Sequence, residues 1–171
     1  MSENNYVRLA RETIEAFVNE GRIIEKPGWL QGEMQTQKAG VFVSLKKHRD
    51  LRGCIGTISP TCDSIAEEII QNAISACSRD PRFPPVTPTE LGNLSISVDV
   101  LSDSEPVMSL EELDVKRFGV IVSKGFRRGL LLPNLEGVNT VEEQISIAMQ
   151  KAGILDGEGC KLEKFEVVRH E

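Results

Sequence analysis

Arg52 and Cys54 stand two positions apart in the hexapeptide Leu51-Arg52-Gly53-Cys54-Ile55-Gly56, the spacing in this chain best suited to chemistry. On an extended segment, side chains two apart share a face, so the guanidinium is placed beside the thiol. A fixed positive charge favours the thiolate, the nucleophilic form of cysteine. On this reading Cys54 is a nucleophile or redox thiol, while Arg52 lowers its pKa and holds an anionic substrate. Gly53 and Gly56 remove bulk and let a ligand or another backbone approach closely. The structural alternative is plain: a cysteine in an apolar strand is an inert small hydrophobe, and Arg52 pairs with a carboxylate.

A second motif, Arg79-Asp80-Pro81-Arg82-Phe83-Pro84-Pro85-Val86, has three prolines that forbid helix and stiffen a loop. Asp80, Arg82 and Phe83 are candidate binding residues, Arg82 and Phe83 offering charge and a flat apolar face to a cleft that Arg52 also lines. Structurally, Asp80 and Arg82 would pair to tie the loop down, and Arg79 would complement a helix C-terminus. Phe83-Pro84 is a candidate cis bond.

The base for such a thiol is not His48. That residue sits in a hairpin turn, and at roughly 3.3 Å per residue it lies more than about 10 Å from Cys54, beyond hydrogen-bond reach. His170 could approach only if the closing strand lies beside Cys54, which leaves Glu or Lys as the base. No nucleotide, phosphate-loop, zinc-protease or serine-hydrolase fingerprint occurs, so no cofactor is expected. Cys54, Cys62, Cys77 and Cys160 form no C-x-x-C pair and no cluster with histidine, so no metal site is expected either.

The elements that must position these residues follow from periodicity. Tyr6, Leu9, Ala10, Thr13, Ile14, Phe17 and Val18 mark a helix over about 5–19 that stops at Gly21. A loop over 27–37 holds Trp29. Strands follow near 40–46 and 51–59, joined by the polar turn 47–50. Hairpin register decides the surroundings of the thiol: an odd loop pairs Ser44 with Cys54 and Lys46 with Arg52 and makes a polar pocket, whereas an even loop places Val43 and Leu45 there and buries the sulfur. A helix over 64–78, capped by Ser64 and Glu67, takes Cys77 into the core. Residues 94–100 alternate, with Ser95, Ser97 and Asp99 on the polar side of a half-exposed antiparallel strand. A second hairpin (118–123 and 128–132), a helix over 140–152 and a closing strand over 164–168 complete the chain.

At an offset of 76 residues, Phe42, Arg52, Gly53, Glu67, Ile69 and Ala76 meet Phe118, Arg128, Gly129, Glu143, Ile145 and Ala152, six identities where roughly two are expected by chance. The capping pair Ser64/Glu67 recurs as Thr140/Glu143. This points to a duplicated hairpin, Arg-Gly strand, helix and closing strand over about 40–100 and 116–171. Leu130 stands where Cys54 does and Leu132 where Gly56 does, so the open glycine-flanked arrangement belongs to the first copy alone.

With 171 residues and a net charge of −6, the sequence fits one globular domain, or one domain with two lobes, and argues against sequence-independent nucleic-acid binding. The absence of a membrane-length apolar run and of a secretory signal points to a cytoplasmic protein with reduced cysteines.

Gly40-Val41-Phe42-Val43-Ser44-Leu45, Leu51 to Gly56, Asp80 to Pro85, Gly129 to Pro133 and Lys151 to Ile154 together resemble the AMMECR domain family, named for an Alport-syndrome chromosomal region. The resemblance covers nearly the whole chain. It implies an α+β fold with a strongly curved, largely antiparallel, barrel-like sheet and outer helices in a larger and a smaller lobe. It also implies genomic neighbours of two kinds, a dioxygenase-like MEMO protein and a radical SAM protein, either of which is a possible partner. The family's biochemical activity is unassigned, and its proposed site maps here onto Arg52, Gly53, Cys54 and Gly56. Relatives often carry a cysteine where this chain has Met149, so a mechanism needing a second thiol there is not expected. Two functions follow: a thiol-dependent enzyme acting on a small anionic ligand, or a non-catalytic adaptor for a protein or small ligand. RNA binding is a third and weaker one.

Overall fold

The structure, a computed structural model, describes residues 3–171. In chain order its elements are α1 (Asn5–Glu20), α2 (Glu33–Thr36), β1 (Val41–Lys47), β2 (Asp50–Gly56), α3 (Ile65–Ser78), β3 (Leu94–Leu101), β4 (Glu105–Pro106), β5 (Gly119–Lys124), β6 (Arg127–Leu131), α4 (Val141–Ala152), β7 (Lys161–Phe165) and β8 (Val167–His170). They divide into a larger compact unit, the chain through Leu101 with Val168–Glu171, and a smaller one, Ser102–Val167. Among the described residues no helix is long and apolar enough to cross a membrane.

In the larger unit the strands run in the order β2-β1-β3-β8, with β1 antiparallel to both β2 and β3. Val41, Val43, Leu45, Ile96 and Val98 are buried on one face, and with Leu9, Ile14, Ile69 and Ala73 they belong to a single apolar core. Each fully buried aliphatic side chain contributes roughly 1.5–3 kcal/mol, and the strict alternation along β1 is what commits one face to that core. α1 starts where the Asn4 side chain accepts from the Tyr6 N–H and ends at Gly21, whose φ of 65° lets its N–H fold back onto the carbonyls of Ala16 and Phe17. α3 starts on the Ser64 side chain, and Cys77 is core, its thiol pushed up to about 11 by burial.

The smaller unit has the strand order β4-β7-β5-β6. Val120, Val122, Leu131, Ala148 and Ile154 form its core. The Gln144 side chain of α4 is fully buried and donates to the Phe118 carbonyl at 2.9 Å.

Several expectations change. The strands form two separate open sheets and no closed barrel. The reason lies in the closing strand, which is not continuous over 164–168: it breaks at Glu166 into β7 and β8, which pair in different sheets. The expected loop over 27–37 contains the single turn α2, and the strand expected to reach residue 59 stops at Gly56. Among the described residues all peptide bonds are trans, Phe83-Pro84 included. Asp99, expected on a half-exposed face, is 2% exposed, because Arg169 covers it through paired bonds of 2.8 and 3.0 Å.

Candidate functional site

The register around Cys54 follows neither simple loop. The turn is even, with His48 and Arg49 as its two central residues at φ 51° and 72°, the positive pair a tight hairpin demands. An even turn alone would put Val43 opposite Cys54. The ladder instead shifts between Leu45 and Lys46, so that Leu45 faces Gly53, Lys46 faces Leu51, and Arg52 has no partner across the hairpin. Arg52 is therefore a β-bulge residue, and bulges re-aim side chains and change the local pairing. The shift restores Ser44 opposite Cys54, with Oγ and Sγ 3.2 Å apart, while the Lys46–Arg52 pairing of the odd loop does not form.

β2 is an edge strand, and the Cys54 N–H donates outward to Asp80 Oδ2 at 2.9 Å. Ser44 and Cys54 thus form a non-hydrogen-bonded pair, the kind in which facing side chains come closest. Ser44 in turn faces Ser97 on β3, and Phe42 faces Asp99. Cys54, Ser44 and Ser97 make a polar row across three strands, on the side of the sheet away from Val43, Leu45 and Ile96. Cys54 and Ser44 are half-buried.

The proline-stiffened loop closes over this edge. Asp80, 4% exposed, accepts from the Cys54 and Arg82 backbones and from Arg82 Nε and Nη2 at 3.0 and 2.8 Å. These bonds, the Arg82 guanidinium first, lower its carboxyl to about 2 against the opposing effect of burial. Arg82 also donates to the Cys54 carbonyl at 3.3 Å and stands over the Phe83 ring, 5.4 Å from its centre. Its charge is reinforced by Asp80 first and by Cys54 as well. Arg169 is reinforced in the same way by Asp99, with Cys54 contributing less. Two guanidiniums are thus within electrostatic reach of Cys54.

Arg52 itself is spent on structure. Its side chain is 12% exposed, and it donates to Glu90 Oε1 and Oε2 at 2.9 and 3.1 Å and to the Pro84 and Pro85 carbonyls at 2.8 and 3.3 Å. Glu90, which also receives Lys47 and the Thr87 backbone, is held well below the usual carboxylate range, mainly by Arg52. Gly53 and Gly56 are filled from within. A Cβ at Gly53 would lie 2.3 Å from the Ala76 carbonyl oxygen, so α3 uses the missing side chain to approach β2; at Gly56 it would enter the Phe42 ring at 2.2 Å. Neither imidazole joins the site: β8 lies beside β3, not β2, and His170 stacks on Tyr6 at 3.8 Å.

Sequence reasoning missed Glu90 and Glu68. Glu90 had a visible signal, since Thr87-Pro88-Thr89-Glu90 is a capping-box pattern. Glu68, fully buried, accepts from the Thr57 and Thr61 hydroxyls and the Thr61 and Cys62 N–H groups at 2.6–2.9 Å, and nothing in its spacing distinguishes it from a solvent-facing residue. Among the described residues no group of three or more His, Cys, Asp or Glu is placed to hold a metal ion.

The Asp80 shift sets an acid dependence. A carboxyl lowered in the folded state contributes stability that is complete above its unfolded value near 3.9 and is lost as pH falls through about 2. Urea unfolding between pH 5 and 2 should therefore show Asp80→Asn less stable at pH 5 by about 2 kcal/mol, with the gap to the natural protein narrowing toward pH 2. A constant gap would assign the loss to packing rather than to charge.

Comparison with known proteins gives a consistent picture. A model of the AMMECR1 family matches residues 7–171. A protein of Thermotoga maritima is 49% identical over 173 residues, covering 100% of this chain and 99% of that protein. A protein of Clostridium acetobutylicum is 56% identical over 167 residues; these are 97% of this chain but 36% of the relative, so the chain spans about a third of that protein's length. The crystal structure of an uncharacterized protein from Pyrococcus horikoshii superposes with a TM-score of 0.88 at 37% identity, covering 96% of this chain and 88% of the other.

Proposed function

This chain belongs to the AMMECR1 family, and from that premise we propose that it is a thiol-dependent protein whose working group is Cys54, acting on a small anionic ligand. The observation that carries this reading is the half-buried sulfur 3.2 Å from the Ser44 hydroxyl, with the Arg82 and Arg169 guanidiniums within electrostatic reach of it. Ser44 can donate a hydrogen bond to a thiolate, and the guanidiniums favour that form and attract an anion. Arg82 and Phe83 supply the charge and flat face of the ligand cradle, Asp80 orients Arg82 and the Cys54 backbone, and Arg52 acts through the loop it fastens. Gly53 and Gly56 serve by letting α3 and Phe42 pack tightly beneath the strand. No cofactor enters the proposal.

The Clostridium relative favours a second reading, an adaptor module. There a domain of this kind is part of a protein nearly three times as long, so it works beside other chain. A MEMO-like or radical SAM protein is the partner we would test first. The chain's net charge of −6 makes RNA the least favoured ligand.

We further read the two units as copies of one ancestral hairpin–helix element within a single domain. Gly129 supports this: a Cβ there would meet the Ala148 carbonyl oxygen at 2.0 Å, much as at Gly53, and the buried polar residues Glu68 and Gln144 stand at the same 76-residue offset.

Alkylation tests the thiol reading. At pH 7, iodoacetamide should modify Cys54 faster than the core thiol Cys77, with mass-spectrometric mapping of each site; Arg82→Ala should slow Cys54 several-fold, and Cys54→Ser should abolish the fast phase. A Cys54 as slow as Cys77 would favour the adaptor.

A further inference from the structure

The two ends of the chain meet on the helix side of the larger sheet. Successive residues of a strand face opposite ways, so on β8 Arg169 turns to Asp99 while His170 turns to α1, where its imidazole stacks on the Tyr6 ring, the centroids 3.8 Å and the planes 8° apart. Asn4 joins the two. Its Oδ1 caps α1 by accepting from the Tyr6 N–H at 2.9 Å, and its Nδ2 lies 3.0 Å from His170 Nδ1. Asn4, Tyr6 and His170 all belong to the larger unit.

The cap settles the protonation state of the ring. A side-chain amide has one oxygen and one NH2 group, and with the oxygen committed to the helix Asn4 offers only N–H donors toward His170. Nδ1 must therefore accept, which makes the imidazole neutral with its hydrogen on Nε2. A proton on Nδ1 would set two donors against each other at 3.0 Å, and Asn4 could answer it only by turning its oxygen away from α1. The surrounding charges do not reverse this preference. Glu33 accepts the Tyr6 hydroxyl at 2.5 Å, Asp99 is held by Arg169, Glu3 is held by Arg11 at 2.7 Å, and Glu171 is exposed. Burial holds the imidazole below its ordinary value against the opposing pull of Glu33 and Asp99. Burial first, and then Glu33, push the Tyr6 phenol upward, so it keeps its proton throughout.

We propose that His170 is a proton-operated latch between the chain ends: neutral, it ties the end of β8 to the capped start of α1; protonated, it breaks that tie, because Asn4 cannot serve an imidazolium and the helix at once. A group whose charged form the fold disfavours contributes stability that is complete above its unfolded value near 6.5 and is lost as pH falls below it. A cationic ring keeps its attraction to the Tyr6 face, so the contact that yields is the one with Asn4. The latch stands apart from the reading of Cys54.

NMR of the full chain tests it in two ways. Imidazole nitrogen shifts at pH 8 should place the His170 hydrogen on Nε2. Amide exchange, each rate taken relative to its unstructured value, should show protection at Tyr6 or over 168–170 about tenfold lower at pH 5 than at pH 7.5. His170→Phe keeps a ring on Tyr6 but takes no proton, and its protection there should be the same at both pH values. Asn4→Asp retains a capping oxygen and presents a second one to the ring, so it should raise the His170 pKa above that of the natural protein and remove the loss at pH 5. A hydrogen on Nδ1 at pH 8, protection unchanged between pH 7.5 and 5, an equal loss in His170→Phe, or a His170 pKa unmoved by Asn4→Asp overturns the proposal.

Discussion

Replacing Arg52 with alanine should destabilise the larger unit by about 3 kcal/mol, measured as the shift in urea midpoint at constant slope. The side chain is 12% exposed and supplies two of the bonds that hold the Glu90 carboxylate, one to each oxygen. Its loss leaves that carboxylate with Lys47 and the Thr87 groups, and leaves the Pro84 and Pro85 carbonyls without their guanidinium donor. Breaking one partner of a largely buried ion pair costs more than the pair contributes, because the survivor keeps its desolvation penalty. Arg52→Lys should recover less than half of the loss, since an ammonium cannot span two carboxylate oxygens and two carbonyls in one plane. Cys54 alkylation adds a second readout: if Arg52 acts by fastening the loop, alkylation in Arg52→Lys recovers only as far as stability does, whereas a direct charge effect would restore alkylation in full.

Glu68→Ala should cost 3 kcal/mol or more, while Glu68→Gln should cost under about 1 kcal/mol. The carboxylate is fully buried at the start of α3 and gathers the chain that leaves β2. Its Oε1 accepts two backbone N–H groups, from Thr61 and Cys62. Its Oε2 accepts only hydroxyls, from Thr57 and Thr61, and a hydroxyl can turn to accept instead. A glutamine can therefore keep its oxygen on the backbone pair and present its amide to the threonines. Alanine takes the acceptor from two backbone N–H groups and leaves a cavity besides. Equal losses in the two variants, by thermal or urea unfolding, would show that the negative charge itself is required.

Much of the scaffold was legible from spacing. The helices near 5–19, 64–78 and 140–152, both hairpins and the alternating strand near 94–100 all appear close to their expected bounds, because each carries a period and a cap that local chemistry specifies. The chain's mixed α and β character with antiparallel sheets was legible too. The break at Glu166 was not, since two short strands in line read as one when only alternation is consulted. The pairing of Ser44 with Cys54 was one of two readings left open by the turn, and the bulge that decides between them has no sequence signature of its own. Arg52 illustrates the wider reason: its neighbours in sequence say what it could do, and only the arrival of Glu90 and two proline carbonyls from elsewhere in the chain says what it does. Glu68 likewise reads as solvated until the loop over 57–62 folds onto it.

The unpaired residue at position 52 makes the hairpin a counting device. Were one residue removed there while the tight turn kept its form, every later side chain of the strand would change sides: the sulfur would point among the isoleucines of the interior, and Ile55 would take its place outside. Insertions and deletions in this short stretch are therefore a harsher filter on descendants of the gene than most substitutions, for a reason that depends on parity and not on the identity of any amino acid.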